Sequence, residues 1–137
     1  MPLSAAAPVR DPEREARLSQ QLHGCCIGGA VQAFQSCAST MELAHAWARE
    51  GTGEGALVWA AQQTQGRGRH GRVWESPEGG AYFLLILRPM RPPEELPQLA
   101  LVAGLASAEA IRELTGLHPA IRWPNDVLID GKRSPES

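Results

Sequence analysis

Two short apolar runs constrain this chain most. Ala56-Leu57-Val58-Trp59-Ala60-Ala61 and Ala81-Tyr82-Phe83-Leu84-Leu85-Ile86-Leu87 carry no charge and no polar alternation. Runs of that length, rich in β-branched and aromatic side chains, are strands with both faces covered. Helices must supply the cover, and the sequence offers them. Pro92-Pro93-Glu94-Glu95 opens a long helix with acids in its first turn, where the helix dipole favours them. Leu96, Leu99, Val102, Ala103, Ala106, Ala110, Ile111 and Leu114 follow at helical spacing, and Gly116 ends it. Ser39-Thr40-Met41-Glu42 is a capping-box pattern that opens a second helix to Ala48, with Gly51 as its stop.

Further strands are predicted on either side. Ala30–Gln35 alternates apolar and polar residues. Ala120–Trp123 ends at Pro124, and Val127-Leu128-Ile129 closes on Asp130-Gly131, a hairpin signal. Asp11 as N-cap and Pro12 in the first turn predict a helix near the N-terminus. Its apolar content is thin, so a loosely held helix or arm is expected. Gly28-Gly29 breaks the chain after it. The order α, β, α, β, β, α, β, β predicts an α+β fold, a mixed sheet with helices on one face.

The chain has 137 residues, a single domain's length. Its formal net charge of −2 gives no global pull on nucleic acid or anionic membrane. The longest uncharged, mostly apolar stretch, Leu99–Ala108, is about half of the ~20 residues that a membrane span needs. The first residues lack the basic start and apolar core of a secretory signal. Cys25, Cys26 and Cys37 suit neither a disulfide framework nor a zinc site. A cytoplasmic setting is expected. His23, His45 and His118 have no partner spacing, His70 is a spacer among arginines, and Trp47 and Trp59 are expected in the core.

The stretch Gln65-Gly66-Arg67-Gly68-Arg69-His70-Gly71-Arg72-Val73 reads as a polar loop dense in glycine and arginine. Gly66, Gly68 and Gly71 spell a dinucleotide fingerprint. That fingerprint needs a helix directly afterwards, and turn chemistry leading to a strand follows instead, which excludes it. Glycine lets backbone amides approach a ligand closely, and Arg67, Arg69 and Arg72 grip carboxylate or phosphate in two-pronged bonds. The alternatives are a solvated basic loop and a short nucleic-acid-binding segment. A second constellation is Arg122-Trp123-Pro124-Asn125-Asp126. Asn and Asp at a strand end suit Mg²⁺ with substrate phosphates, or simply a side-chain-bonded turn.

Together these pieces resemble the catalytic domain of biotin protein ligases, the biotin–[acetyl-CoA-carboxylase] ligases. The matching residues are Ser39-Thr40 at a helix start, Gln63, the Gly66–Trp74 loop, and Arg122-Trp123-Pro124-Asn125-Asp126 followed by Asp130-Gly131-Lys132-Arg133. The resemblance covers roughly residues 31–133. It implies a mainly antiparallel sheet, with residues 1–29 as an arm or helix, 30–133 as a partial catalytic domain and 134–137 as a polar tail. It further implies ATP and Mg²⁺ as cofactors, and biotin and a biotin carboxyl carrier protein as partners, with neither membrane nor nucleic acid expected. Biotin and ATP would give biotinyl-5′-AMP, whose acyl group passes to a carrier lysine.

By the same resemblance, Ser39, Thr40, Gln63, Arg67, Gly68 and Arg69 bind biotin. Arg67, Arg69, Arg72, Trp74, Arg122, Asn125 and Asp126 hold the adenylate side, with Asp126 toward Mg²⁺. Arg69 guards the intermediate. Met41 stands where the family usually has Asn, and Arg122 where Lys is commonest. The family's catalytic lysine falls on Arg133, with Lys132 one residue early, so these two are the candidates for that role. The family continues beyond this point, so a truncated ligase with an unpaired sheet edge is expected. The alternatives are a non-catalytic biotin or adenylate binder, a fragment that pairs with a separately encoded C-terminal half, and a small nucleic-acid-binding protein acting through Arg67–Arg72.

Overall fold

The apolar run at residues 56–60 lies inside a sheet, as a segment without a polar face must. The computed structural model describes residues 6–123, 126–130 and 132–133, the last two as backbone. In chain order they form β1 (Val9–Arg10), α1 (Pro12–Gln21), β2 (Val31–Ser36), α2 (Thr40–Arg49), β3 (Ala56–Ala60), β4 (Gln63–Arg67), β5 (Val73–Ser76), β6 (Tyr82–Ile86), α3 (Pro97–Thr115), β7 (Ala120–Arg122), β8 (Asp126–Ile129) and β9 (Lys132–Arg133). Residues 1–88 and 89–137 make two compact units.

In the first unit the strand order is β1-β2-β3-β6. β2 and β3 run parallel, and the outer pairings are antiparallel. The fold is α+β, with antiparallel pairing dominant, as expected. Alternation places Ala56, Val58 and Ala60 on one face, beside Phe34, Leu84 and Ile86. α2 covers this face through Leu43, Ala44, Trp47 and Ala48, and Cys37 closes the cluster. The small Ala56 and Ala60 flank Val58, which is fully buried. Trp47 is thus a core residue. Trp59 points to the opposite face, where the Arg14 guanidinium of α1 lies 4.5 Å from its ring centre.

The N-terminal segment is fastened rather than loose. β1 pairs with β2, and the Arg14 N–H donates to the Asp11 carboxylate at 3.0 Å, as the N-cap reading requires. Glu15 accepts the Ala33 N–H at 3.2 Å and pairs with Arg10. A carboxylate that satisfies a strand N–H compensates for the helix's thin apolar face.

Two readings of the sequence are corrected in this unit. The expected capping box does not form: Ser39 precedes α2, but its side chain makes no cap bond. Glu42 turns instead to Arg67, at 2.8 Å. The expected polar loop is a hairpin, β4–β5, with Gly66 opposite Trp74 and Arg67 opposite Val73. Its turn runs through His70 (φ 58°) and Gly71 (φ 72°). Two successive left-handed residues are the pattern of primed hairpin turns, whose twist matches the strands they join. The Gly68 N–H donates to the Arg72 carbonyl at 2.7 Å and closes it.

In the second unit a single 3₁₀ turn over Pro93–Glu95 comes first, and α3 starts only at Pro97. The helix therefore starts about one turn later than the expected Pro92, because Pro97 has no N–H for the preceding turn to use and fits the first helical position instead. Gly116 ends α3 in the left-handed conformation (φ 74°). α3 packs on β7 and β8, with Gly104 facing Ile121. β7-β8-β9 form an antiparallel sheet, and the turn between β8 and β9 holds Asp130 at φ 54°.

Candidate functional site

The polar side chains of the first unit converge where β2 hands over to α2. β4 is bound alongside that junction: the Thr64 N–H donates to the Cys37 carbonyl at 2.9 Å and the Gln65 N–H to the Ala38 carbonyl at 2.8 Å. To reach these bonds, β4 bulges between Gln63 and Gly66, which brings Gln63 opposite Ser76 on β5. The Gln63 Oε1 then accepts both the Thr40 N–H at 2.8 Å and the Thr40 hydroxyl at 2.9 Å. Its Nε2 donates to Ser76 Oγ at 3.2 Å, and the Ser76 hydroxyl donates to the Trp74 carbonyl at 3.5 Å. Ser39, Thr40 and Ser76 are all buried. Ser39 is 2% exposed, yet its hydroxyl bonds to nothing among the described residues. A buried hydroxyl without a partner is costly. No fully enclosed side-chain N or O among the described residues lacks a partner, so Ser39 Oγ reaches the surface through that small opening.

One of the three hairpin arginines is tied to this junction. Arg67 is ion-paired with Glu42, both about half exposed. Arg69 and Arg72 flank the turn and are exposed. The glycines were expected to admit a ligand, but two of them admit protein. A Cβ on Gly68 would lie 2.0 Å from Trp74 Nε1, so the indole rests on the Gly68 backbone. A Cβ on Gly66 would meet Ser76 Oγ at 2.7 Å and the Trp74 carbonyl oxygen at 2.8 Å. Trp74 is thus the residue that gives the hairpin its shape. Gly71 has open space around it and serves the turn.

Cys37 lies under the junction with its thiol pushed up to about 11, chiefly by burial and further by the charge of Glu42. It is an unreactive core thiol, whereas Cys25 and Cys26 are exposed.

The second constellation belongs to the second unit. Arg122 ends β7 directly opposite Asp126 at the start of β8. Trp123 is exposed. Asn125 and its neighbour Pro124 lie outside the described residues. Lys132 and Arg133 pair across β8–β9 with Ile129 and Leu128. Among the described residues no group of three or more His, Cys, Asp or Glu side chains could hold a metal. Sequence reasoning missed Ser76, which it left among turn residues, and the pairing role of Glu42. Both depend on the bulge and hairpin, which the glycine-rich sequence does not display as strands.

A buried Ser-Thr pair at a helix start, a glutamine that crosses to it, and an arginine hairpin roofed by tryptophan define a class. The chain belongs to the biotin/lipoate A/B protein ligase family, whose model matches residues 33–133. Within it, the chain is 48% identical over 97 residues to the bifunctional ligase/repressor BirA of Bacillus subtilis, covering 70% of this chain and 30% of that protein. It is 34% identical over 132 residues to the biotin–[acetyl-CoA-carboxylase] ligase of Mycobacterium tuberculosis, covering 90% of this chain and 49% of that one. Among solved structures, the biotin protein ligase of Aquifex aeolicus in complex with biotin and ATP superposes with a TM-score of 0.68 at 39% identity, over 76% of this chain and 43% of the other. The chain therefore spans from about a third to half the length of these relatives.

Proposed function

We propose that this chain carries the biotin- and adenylate-binding part of a biotin protein ligase. The observation that carries the reading is the junction itself: a Ser39 hydroxyl with no partner among the described residues, beside a Thr40–Gln63 pair and next to an arginine hairpin. Hydroxyl and amide groups set at the end of an apolar core suit a small ring with polar edges. The relatives and the solved complex with biotin and ATP supply the chemistry.

In the reaction proposed, a biotin carboxylate oxygen attacks the α-phosphorus of ATP. The bond to the bridging oxygen breaks, and pyrophosphate leaves. The lysine amine of a carboxyl carrier protein then attacks the acyl carbon, and AMP leaves. The first step brings an anion onto an anion, so cations must offset both charges. Arg67, Arg69 and Arg72 supply them from the hairpin, with Arg67 released from Glu42 as the ligand's charge arrives. Gly68 and Trp74 hold the hairpin in shape beside the mixed anhydride, which must be kept from water. Ser39, Thr40 and Gln63 bind the biotin ring.

Arg122, Asn125 and Asp126 are proposed for the phosphate end, and Lys132 or Arg133 for the remaining cation. Asp126 would hold Mg²⁺ through one carboxylate, with ATP phosphates supplying the other ligands, which is how that ion is ordinarily bound. Residues 1–29 serve as an arm of the sheet, and 30–133 as the ligase part. The cytoplasm is the proposed setting; among the described residues no helix is long and apolar enough to cross a membrane. The deciding experiment is titration calorimetry of biotin into the chain, with and without MgATP. It is followed by intact mass of a carrier domain incubated with both. Micromolar or tighter biotin binding supports the reading, and no heat at millimolar biotin overturns it.

A further inference from the structure

We infer that Ser76 is a positioning residue for the Gln63 carboxamide, setting which hydrogen of that amide faces the ligand; the inference rests on the reading of the junction as a biotin site. Ser76 is buried on β5, directly opposite Gln63. The Thr40 N–H is a donor alone, so it fixes the oxygen end of the carboxamide toward α2. That leaves the NH₂ end to be placed. The terminal torsion of a glutamine is broad and has no strong well of its own. With the oxygen as its one anchor, the amide plane would swing. Ser76 Oγ, 3.2 Å from Nε2, takes one of the two hydrogens and holds the plane. The other hydrogen is engaged by no described group.

The chain of bonds runs one way. Thr40 donates to Gln63, Gln63 to Ser76, and Ser76 to the carbonyl of Trp74. Its last member is the residue whose indole roofs Gly68, so the Gln63 amide joins the start of α2 to the arginine hairpin by a route separate from the Arg67–Glu42 pair. The room for Ser76 is itself provided: a Cβ at Gly66 would come within 2.7 Å of its Oγ. A hydroxyl placed at the centre of such a chain acts through Gln63 without touching the ligand.

The test is a double-mutant cycle on the whole chain, read by biotin calorimetry. Ser76→Ala is expected to weaken biotin about three- to tenfold, the scale of one hydrogen bond. Ser76→Thr, which keeps the hydroxyl, is expected to restore most of the loss. In a Gln63→Ala background Ser76→Ala is expected to change nothing further. An equal loss in that background shows a packing role alone and overturns the inference, as does unchanged binding in the single variant. A second measurement needs no ligand. In ¹⁵N NMR spectra the two Nε2 hydrogens of Gln63 should be well separated in the wild type and should converge in Ser76→Ala. An unchanged pair overturns the inference. If the wild type binds no biotin, the reading of the site falls, and the NMR comparison alone decides the role of Ser76.

Discussion

β3 and α3 are both built from apolar residues, and they end in different surroundings. Val58 at the centre of β3 is fully buried, whereas Val102 in α3 is 60% exposed and Leu114 85% exposed. β3 has a neighbour on each side and α2 across one face, all within residues 1–88. α3 has β7 and β8 in its own unit, and they meet it where Gly104 leaves room for Ile121. Apolar periodicity alone therefore does not mark a core; a covering element is also needed. The first unit owns the cover for its core, and its candidate site is built on the rim of that core.

The largest test of this contrast applies one chemical change to both regions. Val58→Ala removes two methyl groups from a closed core and should cost about 2–3 kcal/mol. Val102→Ala should cost less than about 0.5 kcal/mol, the range of exposed positions. Urea unfolding of the two variants, read by a shift of midpoint, makes the comparison. Equal costs would mean that α3 is as buried as β3.

The next test moves to the site. Gly68→Ala places a methyl group where the Trp74 indole lies. The indole must leave, at about 1–3 kcal/mol as for other overpacked positions. Biotin affinity should fall at least tenfold while the urea midpoint of the core stays within the error of the wild type, if the hairpin is a separate attachment to the first unit. A matching collapse of the core would show that hairpin and core are one structure.

A smaller effect concerns the thiols. Exposed Cys25 and Cys26 should react with a maleimide at pH 8, and buried Cys37 should react only on unfolding. The Cys37 thiol is raised from 9.0 to about 11 in the fold. Below pH 9 the thiol is protonated in folded and unfolded chains alike, and it contributes no pH dependence. Between about 9 and 11 the unfolded chain loses the proton while the folded chain keeps it, so stability falls as pH rises through that window. A Cys37→Ala variant should lose that slope.

These contrasts also explain what the sequence made legible. β2, β3 and β6 were plain because apolar runs and alternation report burial directly, and α2 because its Ala/Leu periodicity agrees with its cover. The hairpin was hidden. Gly66 and Gly68 disfavour strands by propensity, and Trp74 and Ser76 overrule them by packing on those very positions. Its turn could have been found: His70-Gly71 is a left-handed pair of the kind usually written Asn-Gly. Ser39 was singled out as a cap, which the structure does not bear out, and separately as a ligand group, which is the role proposed for it. Ser76 left no mark, because its importance arises from a bulge that the sequence does not spell.

The smallest test separates the two links between hairpin and α2. One is the buried chain of bonds through Gln63; the other is the Arg67–Glu42 pair at 2.8 Å, about half exposed on both sides. An exposed pair contributes about 1 kcal/mol or less. Glu42→Gln should therefore leave the urea midpoint nearly unchanged. It should strengthen biotin binding two- to threefold, because Arg67 no longer has to exchange a protein carboxylate for the ligand's. The gain should fade in molar salt, where charges at the surface are screened. Ser76→Ala acts on an uncharged chain of bonds and should be indifferent to salt. A fall in affinity in Glu42→Gln would mean instead that Glu42 holds Arg67 in its binding pose, and the ion pair would then join Gln63 and Ser76 as part of the site's framework.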